Sequence, residues 1–543
     1  MRACVIMNQT YCERVTPRGE TARRLGKNFS RLEDKIYLPD SVYTSSGGWP
    51  GDYEGRVMLA LILHERTSGR ESAYLRDMLR QFNSRLNERG YFGCILNGEL
   101  SEQQLSGHNW TLRALNEYAR SGREEFVSGA AERIVENLYL PARGRYSHYC
   151  LDPALRPLDG QASGHAADKA HDGWYLSTDI GCAYMSLDGL TQYYELTGDS
   201  RVGELIDEMF DTFKNIDFVG ANMQTHASLT ATRGILRYYN KTKRPELLEF
   251  AKRLFGLYTD CAMTQNYCNY NWFARPSWTE PCAIVDSYMV ARELHRLTGE
   301  HNYLWLATNI LHNGLYHAER SNGGFGCDSC LRPDEPYLSC QDGLYEAFWC
   351  CTMRGAEGLT YAARSAVLDS GDGFMVCEIS SGDYVHGDTK LEISGDFVHT
   401  GKAMFELYAP DGEENVLRVY IPDVCETPVF SLNGAAADVS VDGCIYSLRL
   451  RGSARVELTA LPRLCELPLE GESRGKGYTL RHGLLILGCE SDENIKAHAD
   501  ELISEGIGVY RKGDDIFKPI DDTIEKERAT VTQKRIRVVH PLD

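Results

Sequence analysis

No stretch of this chain approaches the roughly eighteen consecutive apolar residues that a membrane-crossing helix needs, so none is expected. The opening Met1-Arg2-Ala3-Cys4-Val5-Ile6-Met7-Asn8-Gln9 holds too short an apolar run for a secretory signal, and a cytoplasmic setting is the expectation. Positive charge is scarce: 58 Lys and Arg stand against 77 Asp and Glu, a net charge of −19. Nucleic acid and anionic membrane both call for a basic face, so neither is an expected partner and a neutral substrate fits better. Low-complexity linkers are missing too, which leaves the domains to pack together rather than swing freely.

What is present is enough chain for two or three domains, since 543 residues exceed one ordinary core. The 18 cysteines suit a reducing compartment as thiols or metal ligands. Eight of them fall between Cys261 and Cys351, a density that core filling explains poorly. The 31 tyrosines and seven tryptophans suit sugar binding, but aromatic residues fill any core.

The first two thirds repeats one plan: an amphipathic run, a short Ser/Thr-Gly-type turn, then a second amphipathic run. The turns are Thr67-Ser68-Gly69-Arg70-Glu71, Ser121-Gly122-Arg123-Glu124, Thr197-Gly198-Asp199-Ser200, Thr242-Lys243-Arg244-Pro245-Glu246 and Thr298-Gly299-Glu300. Glycine supplies a left-handed helix C-cap, and an acid or Ser just beyond it caps the next helix. Each unit therefore reads as a helical hairpin, and a sixth, less regular helix begins near Thr352. Six hairpins closing on themselves make an (α/α)6 toroid around a central pocket; an open helical solenoid is the alternative.

Beyond about Ser370 the texture changes. Period-two alternation in Val416–Ile421 and Ala454–Leu458, separated by turns such as Asn433-Gly434, predicts antiparallel β-sandwich modules. Tyr478–Leu487 reads as a further strand pair, and the charged tail from Glu525 to Arg537 as surface. The expected multidomain α plus β organisation is an N-terminal segment at 1–25 that joins the sandwich, the ring at 26–370, a β-sandwich at 371–465, and a second β module or extension at 466–543.

Two segments carry the chemistry. Glu280-Pro281-Cys282 and Cys350-Cys351 each lead into a helix-like apolar pattern, and together supply three thiols and a carboxylate. These are zinc-ligand types, and a coordinated thiol loses its proton at neutral pH. A Cys₃Glu set would be unusual for a purely structural zinc, and one of its sulfurs could also act as a nucleophile. Buried free thiols, or a knuckle at Cys327-Asp328-Ser329-Cys330, are the alternatives. Trp49 and Asp52, before the first ring helix, form a candidate pocket rim, although Asp52 could simply cap that helix. Residues 159–179, rich in His and Asp, read as a catalytic or gating loop, or as a solvated connection.

The run from Trp278-Thr279-Glu280-Pro281-Cys282-Ala283 through Leu297-Thr298-Gly299 and Asn313-Gly314 to Phe348-Trp349-Cys350-Cys351 resembles glycoside hydrolase family 127, the β-L-arabinofuranosidases and relatives. Ser106-Gly107-His108, Thr225-His226-Ala227 and Arg481-His482-Gly483 are similar to further family elements. The resemblance implies a retaining glycosidase with zinc (Zn2+) held by Glu280, Cys282, Cys350 and Cys351. It implies Cys350 as the nucleophile, and His108 and His226 as pocket residues that bind sugar hydroxyls.

A retaining glycosidase also needs a carboxylic acid for the leaving oxygen. The positions of the family's two further glutamates fall on Thr264 and Thr308, and Asp260 is the nearest acid to the first. Asp179 is therefore the leading candidate acid, with Asp172 behind it. The expected substrate is an oligosaccharide or glycoconjugate, with the β modules as the contact surfaces of any homo-oligomer. A lyase or epimerase on the same scaffold, and a non-catalytic carbohydrate-binding protein with structural zinc, are the rival functions.

Overall fold

Six long helices pack side by side in sequence order, and the sixth packs back on the first. In this computed structural model, which describes residues 9–44, 48–122, 124–160, 163–490, 495–522 and 535–542, they are α1 (Asp52–Ser68), α2 (Glu102–Arg120), α3 (Ser186–Thr197), α4 (Thr225–Thr242), α5 (Pro281–Thr298) and α6 (Cys351–Ser365). A second set lies outside them: Gly19–Leu32, Ala73–Gln81, Glu124–Ile134, Ser200–Phe213, Pro245–Cys261 and Asn302–Asn309. The expected signal-free start falls largely outside the described residues, as do positions 161 and 162 of the 159–179 loop and most of the charged tail. Among the described residues, no helix is long and apolar enough to cross a membrane.

The two sets differ as their sequences dictate. Every residue of α1 from Asp52 to His64 is buried, which marks a helix enclosed on all sides. Ser200–Phe213 instead buries Val202, Leu205, Ile206, Met209, Phe210 and Phe213 at three- and four-residue spacing and turns its charges outward. Burying each such side chain stabilises by about 1.5–3 kcal/mol, which fastens the outer helices to the inner ones. Gly69, Gly198 and Gly299 end α1, α3 and α5 in the left-handed conformation. Two other glycines let inner helices touch backbone to backbone. A Cβ at Gly55 would lie 2.2 Å from the Thr111 nitrogen, and one at Gly234 2.5 Å from the Leu187 carbonyl carbon.

Three larger sheets follow. A six-stranded and a seven-stranded sheet share one apolar core, with Phe374, Leu417 and Leu448 from the first meeting Leu391, Phe405 and Val456 from the second. The chain start joins both: Thr10–Tyr11 pairs with Val367–Asp369, and Arg14–Pro17 with Gly382–His386. Helix Gly19–Leu32 runs across the boundary expected at residue 25, because Leu25, Phe29 and Leu32 continue one buried stripe. Pairing is not purely antiparallel. Gly373–Val376 runs parallel to Glu414–Tyr420, since the chain between them crosses through the other sheet.

The nine-stranded sheet is pinned to the helices. Asn313 donates to the Leu484 carbonyl at 3.0 Å and accepts from the Ile486 amide at 2.9 Å, while Arg481 donates to Asn309 and Tyr267. In the tail, Ile536 and Arg537 are buried in this sheet rather than lying on the surface, because Ile536–Arg537 pairs with Tyr337–Leu338 and Leu485–Glu490.

Candidate active site

The N-termini of the inner helices gather the expected ligands. Glu280 is the N-cap of α5, Pro281 and Cys282 open its first turn, Cys350 is the N-cap of α6 and Cys351 its first residue. Helix N-termini carry partial positive charge and favour thiolates. The Cys350 and Cys351 sulfurs lie 3.4 Å apart, and those of Cys282 and Cys351 3.7 Å. All three sulfurs fall within 4.8 Å of one another, as do ligand atoms of His226, Glu280 and Cys282. Among the described residues neither such cluster includes Cys327 or Cys330, and the Cys330 thiol turns to the Asn269 carbonyl.

Glu280 Oε2 is buried without a hydrogen-bond partner, and burial, with Asp179 nearby, pushes this carboxyl up to about 8. Burial likewise raises the Cys282 and Cys351 thiols well above the ordinary range. An orphaned carboxylate oxygen beside thiols that lack a strong partner is the arrangement a soft divalent cation satisfies. The donor set fits zinc.

A cation of the protein's own also faces this cluster. Arg56 directs Nη1 at Cys282 Sγ (3.7 Å) and Nη2 at His226 Nε2 (3.4 Å), and Asp52 Oδ2 accepts from its Nε at 2.8 Å. Asp52 thus acts through Arg56. The guanidinium lies 4.1 Å above the Trp110 ring, against which His226 stacks at 5.7 Å. His226 Nδ1 donates to Asp286 Oδ2 at 2.7 Å, leaving Nε2 as the acceptor toward the cluster. Burial, only partly opposed by Asp286, pulls His226 down to about 4, so the ring is neutral at pH 7.

His108 is placed differently from expectation. Its Nδ1 donates to the Gln104 carbonyl at 2.7 Å and its Nε2 accepts from the Phe92 amide at 2.9 Å. With both nitrogens committed to backbone and the ring buried, it braces the turn at Phe92 and offers nothing to a sugar.

Asp179 is buried, its Oδ1 accepting from Ser163 and Gln224 and its Oδ2 from the Gly164 amide, each at 2.9 Å. Burial raises its carboxyl to about 6 against those bonds. The loop carrying it is fastened by a buried bidentate pair, Arg156 with Glu102, whose Oε2 also accepts from the Ser177 amide. Asp172 is exposed beside His171, and Asp260 is exposed. Thr264 is tied to Asn266 and the Cys268 amide, and Thr308 is buried in an outer helix. Trp49 is half-buried, whereas Phe348 and Trp349, immediately before Cys350, are exposed.

Sequence reasoning passed over Arg56, Trp110, Asp286 and Arg354. A usable signal existed for three. Arg56 follows Asp52 by four residues, Asp286 follows Cys282 by four, and Arg354 follows Cys350 by four, one helical turn each.

No protein-family model and no curated protein matches the chain. Solved structures do, and they place the fold among those of glycoside hydrolases. A structure described as a glycoside hydrolase shares it at a TM-score of 0.70 and 14% identity, over 98% of this chain and 97% of that one. A GH127 β-arabinofuranosidase does so at 0.69 and 12%, over 99% and 98%. Ara127N, a GH127 β-L-arabinofuranosidase from Geobacillus stearothermophilus T6, does so at 0.66 and 12%, over 97% and 99%. At this identity the likeness speaks for the fold alone, and the chemistry rests on the side chains.

Proposed function

We propose that the chain is a retaining glycoside hydrolase of β-L-arabinofuranosidase type that acts on oligosaccharides or glycoconjugates through the Cys350 thiolate. The six-helix circuit with its outer partners would be an (α/α)6 toroid, and the two sheets with one core its β-sandwich. The observation that carries the function is the gathering of three thiols, Glu280 and His226 at inner-helix N-termini. Glu280, Cys282, Cys350 and Cys351 would hold zinc, which when bound keeps thiols ionised and oriented at neutral pH.

Cys350 is the half-buried residue of the three, while Cys282 and Cys351 are buried, so its sulfur is the one a substrate would reach. Trp349 beside it offers an exposed face for a sugar ring. The Cys350 sulfur would bond to the anomeric carbon as the glycosidic C–O bond breaks, with Asp179 giving its proton to the leaving oxygen. Water would then displace the sulfur, its proton passing to Asp179, and two inversions give net retention. His226 would line the pocket and could accept from a sugar hydroxyl only where that hydroxyl displaces Arg56 Nη2 from Nε2, Asp52 would hold Arg56 toward the thiols, and Trp49 would border the pocket.

A second reading has two observations in its favour. By the motif resemblance Thr264 and Thr308 stand where the family has carboxylates, and the Asp179 oxygens already accept three hydrogen bonds, which suits a carbohydrate-binding protein with structural zinc.

Metal analysis paired with a nitrophenyl glycoside panel tests both. The hydrolase predicts one zinc per chain and turnover of at least one furanoside or pyranoside. Cys350→Ser should then lower turnover by at least about 10³-fold with the fold retained. Asp179→Asn should lower hydrolysis of alkyl glycosides by about 10²–10⁴-fold but spare nitrophenyl leaving groups, which need little protonation. Turnover unaffected by Cys350→Ser would move the chemistry elsewhere, toward a lyase or epimerase. Zinc without turnover on any sugar would favour the binding protein.

A further inference from the structure

The C-terminal ends of the inner helices converge on a second cavity of about 420 Å³. Arg364 lies thirteen residues along α6 from Cys351, about 20 Å at 1.5 Å per residue, so this cavity and the thiols occupy opposite mouths of the ring. In a chain of net charge −19 its lining is cationic: seven arginines and four glutamates.

Helix C-termini favour cations, but that effect is confined to the last turn. It accounts for Arg66, Arg120, Arg296 and Arg364, in the last turns of α1, α2, α5 and α6. Arg113, Arg233 and Arg237 lie deeper, and each is bound to Asp188 beneath the floor. Glu195 is matched to Arg120 and Glu293 to Arg296, but the other two lining glutamates are shared among several arginines. Glu117 serves Arg66, Arg113 and Arg120, while Glu357 serves Arg113, Arg233 and Arg354. Arg364 lies over the Tyr11 ring and has no carboxylate partner among the described residues. Crowding is felt electrostatically too: burial, with Arg364 and Arg113 close by, pulls Arg66 below the ordinary guanidinium range.

We propose that this far mouth binds a small dianion, a phosphoryl group or a dicarboxylate, with Arg364 as a principal contact. Guanidinium forks match the paired oxygens of both groups, and the volume is that of a small-molecule site. The proposal does not depend on the glycosidase reading, since none of these residues serves it.

Calorimetric titration of the full chain at fixed ionic strength, with inorganic phosphate and with malonate, tests it. At least one probe should bind saturably near one per chain, weaken at least tenfold in Arg364→Gln, and recover in part in Arg364→Lys. Preference for phosphate would assign a phosphoryl ligand, preference for malonate a dicarboxylate, and equal binding any small dianion. Because Arg364 holds no carboxylate in the network, thermal melts of both variants should match the parent without ligand. No saturable binding of either probe up to about 10 mM, where affinities are already weak, would overturn the proposal. Binding that Arg364→Gln leaves unchanged would also overturn it, since the anion would then sit elsewhere, at the thiols for example.

Discussion

Replacing Asp286 by Asn should destabilise the helical part by about 3–5 kcal/mol at pH 7, because this carboxylate is the buried joint between three helices. Its Oδ1 accepts from Arg233 Nη1 at 2.7 Å and from Arg354, and its Oδ2 from His226 Nδ1 and Thr230 Oγ1, both at 2.7 Å. Asn is isosteric but presents an amide NH₂ where one oxygen stood. Turned one way, the NH₂ faces both guanidiniums, donor against donor; turned the other, it faces the His226 Nδ1 donor, and either way two guanidiniums lose their counter-charge. Losing the charge on the two guanidinium bonds, at about 1.5–3 kcal/mol each, gives about 3–6 kcal/mol, which contains that range.

The sign with pH follows from the carboxyl itself. Burial alone would raise it, but Arg354 and Arg233 outweigh burial and hold it far below the usual carboxylate range. A depressed folded value stabilises the fold above the unfolded value near pH 3.9 and loses that contribution as pH falls further. The gap between parent and variant should therefore be full at pH 7 and shrink below about pH 4. Urea unfolding followed by tryptophan fluorescence reads it cleanly, since all seven tryptophans precede residue 350. A gap below about 1 kcal/mol at pH 7, or one unchanged between pH 7 and 3, would refute the reasoning.

Three further outcomes follow from single positions. Burial, with Asp52 adding to it, pushes Glu54 up to about 8, and its Oε2 has no partner. A raised folded value means its contribution is full below the unfolded value near 4.3 and is lost as pH rises through about 8. Glu54→Gln should thus melt close to the parent at pH 5 and above it at pH 9, by less than the roughly 5 kcal/mol that the shift would allow. Gly55→Ala should destabilise by about 1–3 kcal/mol in urea, because its methyl group meets the Thr111 backbone. Gly256→Ala, with nothing within 4 Å of the added carbon, should instead gain up to about 1 kcal/mol.

The helical hairpins were legible because their punctuation is local. Gly69, Gly198 and Gly299 stand where the turns require left-handed backbone, and the amphipathic period of Ser200–Phe213 names its own buried face. The sheets were legible by their period of two, but the parallel pair at Gly373–Val376 was not, since parallel pairing depends on how a chain crosses between sheets. His108 shows a similar limit: its motif could be read, while its role was set by the Phe92 amide sixteen residues away. The acid/base assignment was harder still. The bonds to Asp179 come from Ser163, Gly164 and Gln224, so its environment is assembled by segments that no spacing rule connects.

The buried charge network was more accessible than it looked, through the order in which the helices pack. When helices pack in sequence order, residues at equal depth on successive helices form a layer. One turn below His226, Cys282 and Cys350 stand Thr230, Asp286 and Arg354, and these three do meet, with Asp286 bonding to both of the others. An anion flanked by a hydroxyl and a cation in one layer is a satisfied arrangement, and an apolar residue in place of Asp286 would leave the Arg354 and Arg233 guanidiniums buried without it. The same layer fixes which imidazole nitrogen of His226 faces the thiols. Depth along the helix, combined with ring order, therefore carries information about the site that helical periodicity on a single segment cannot.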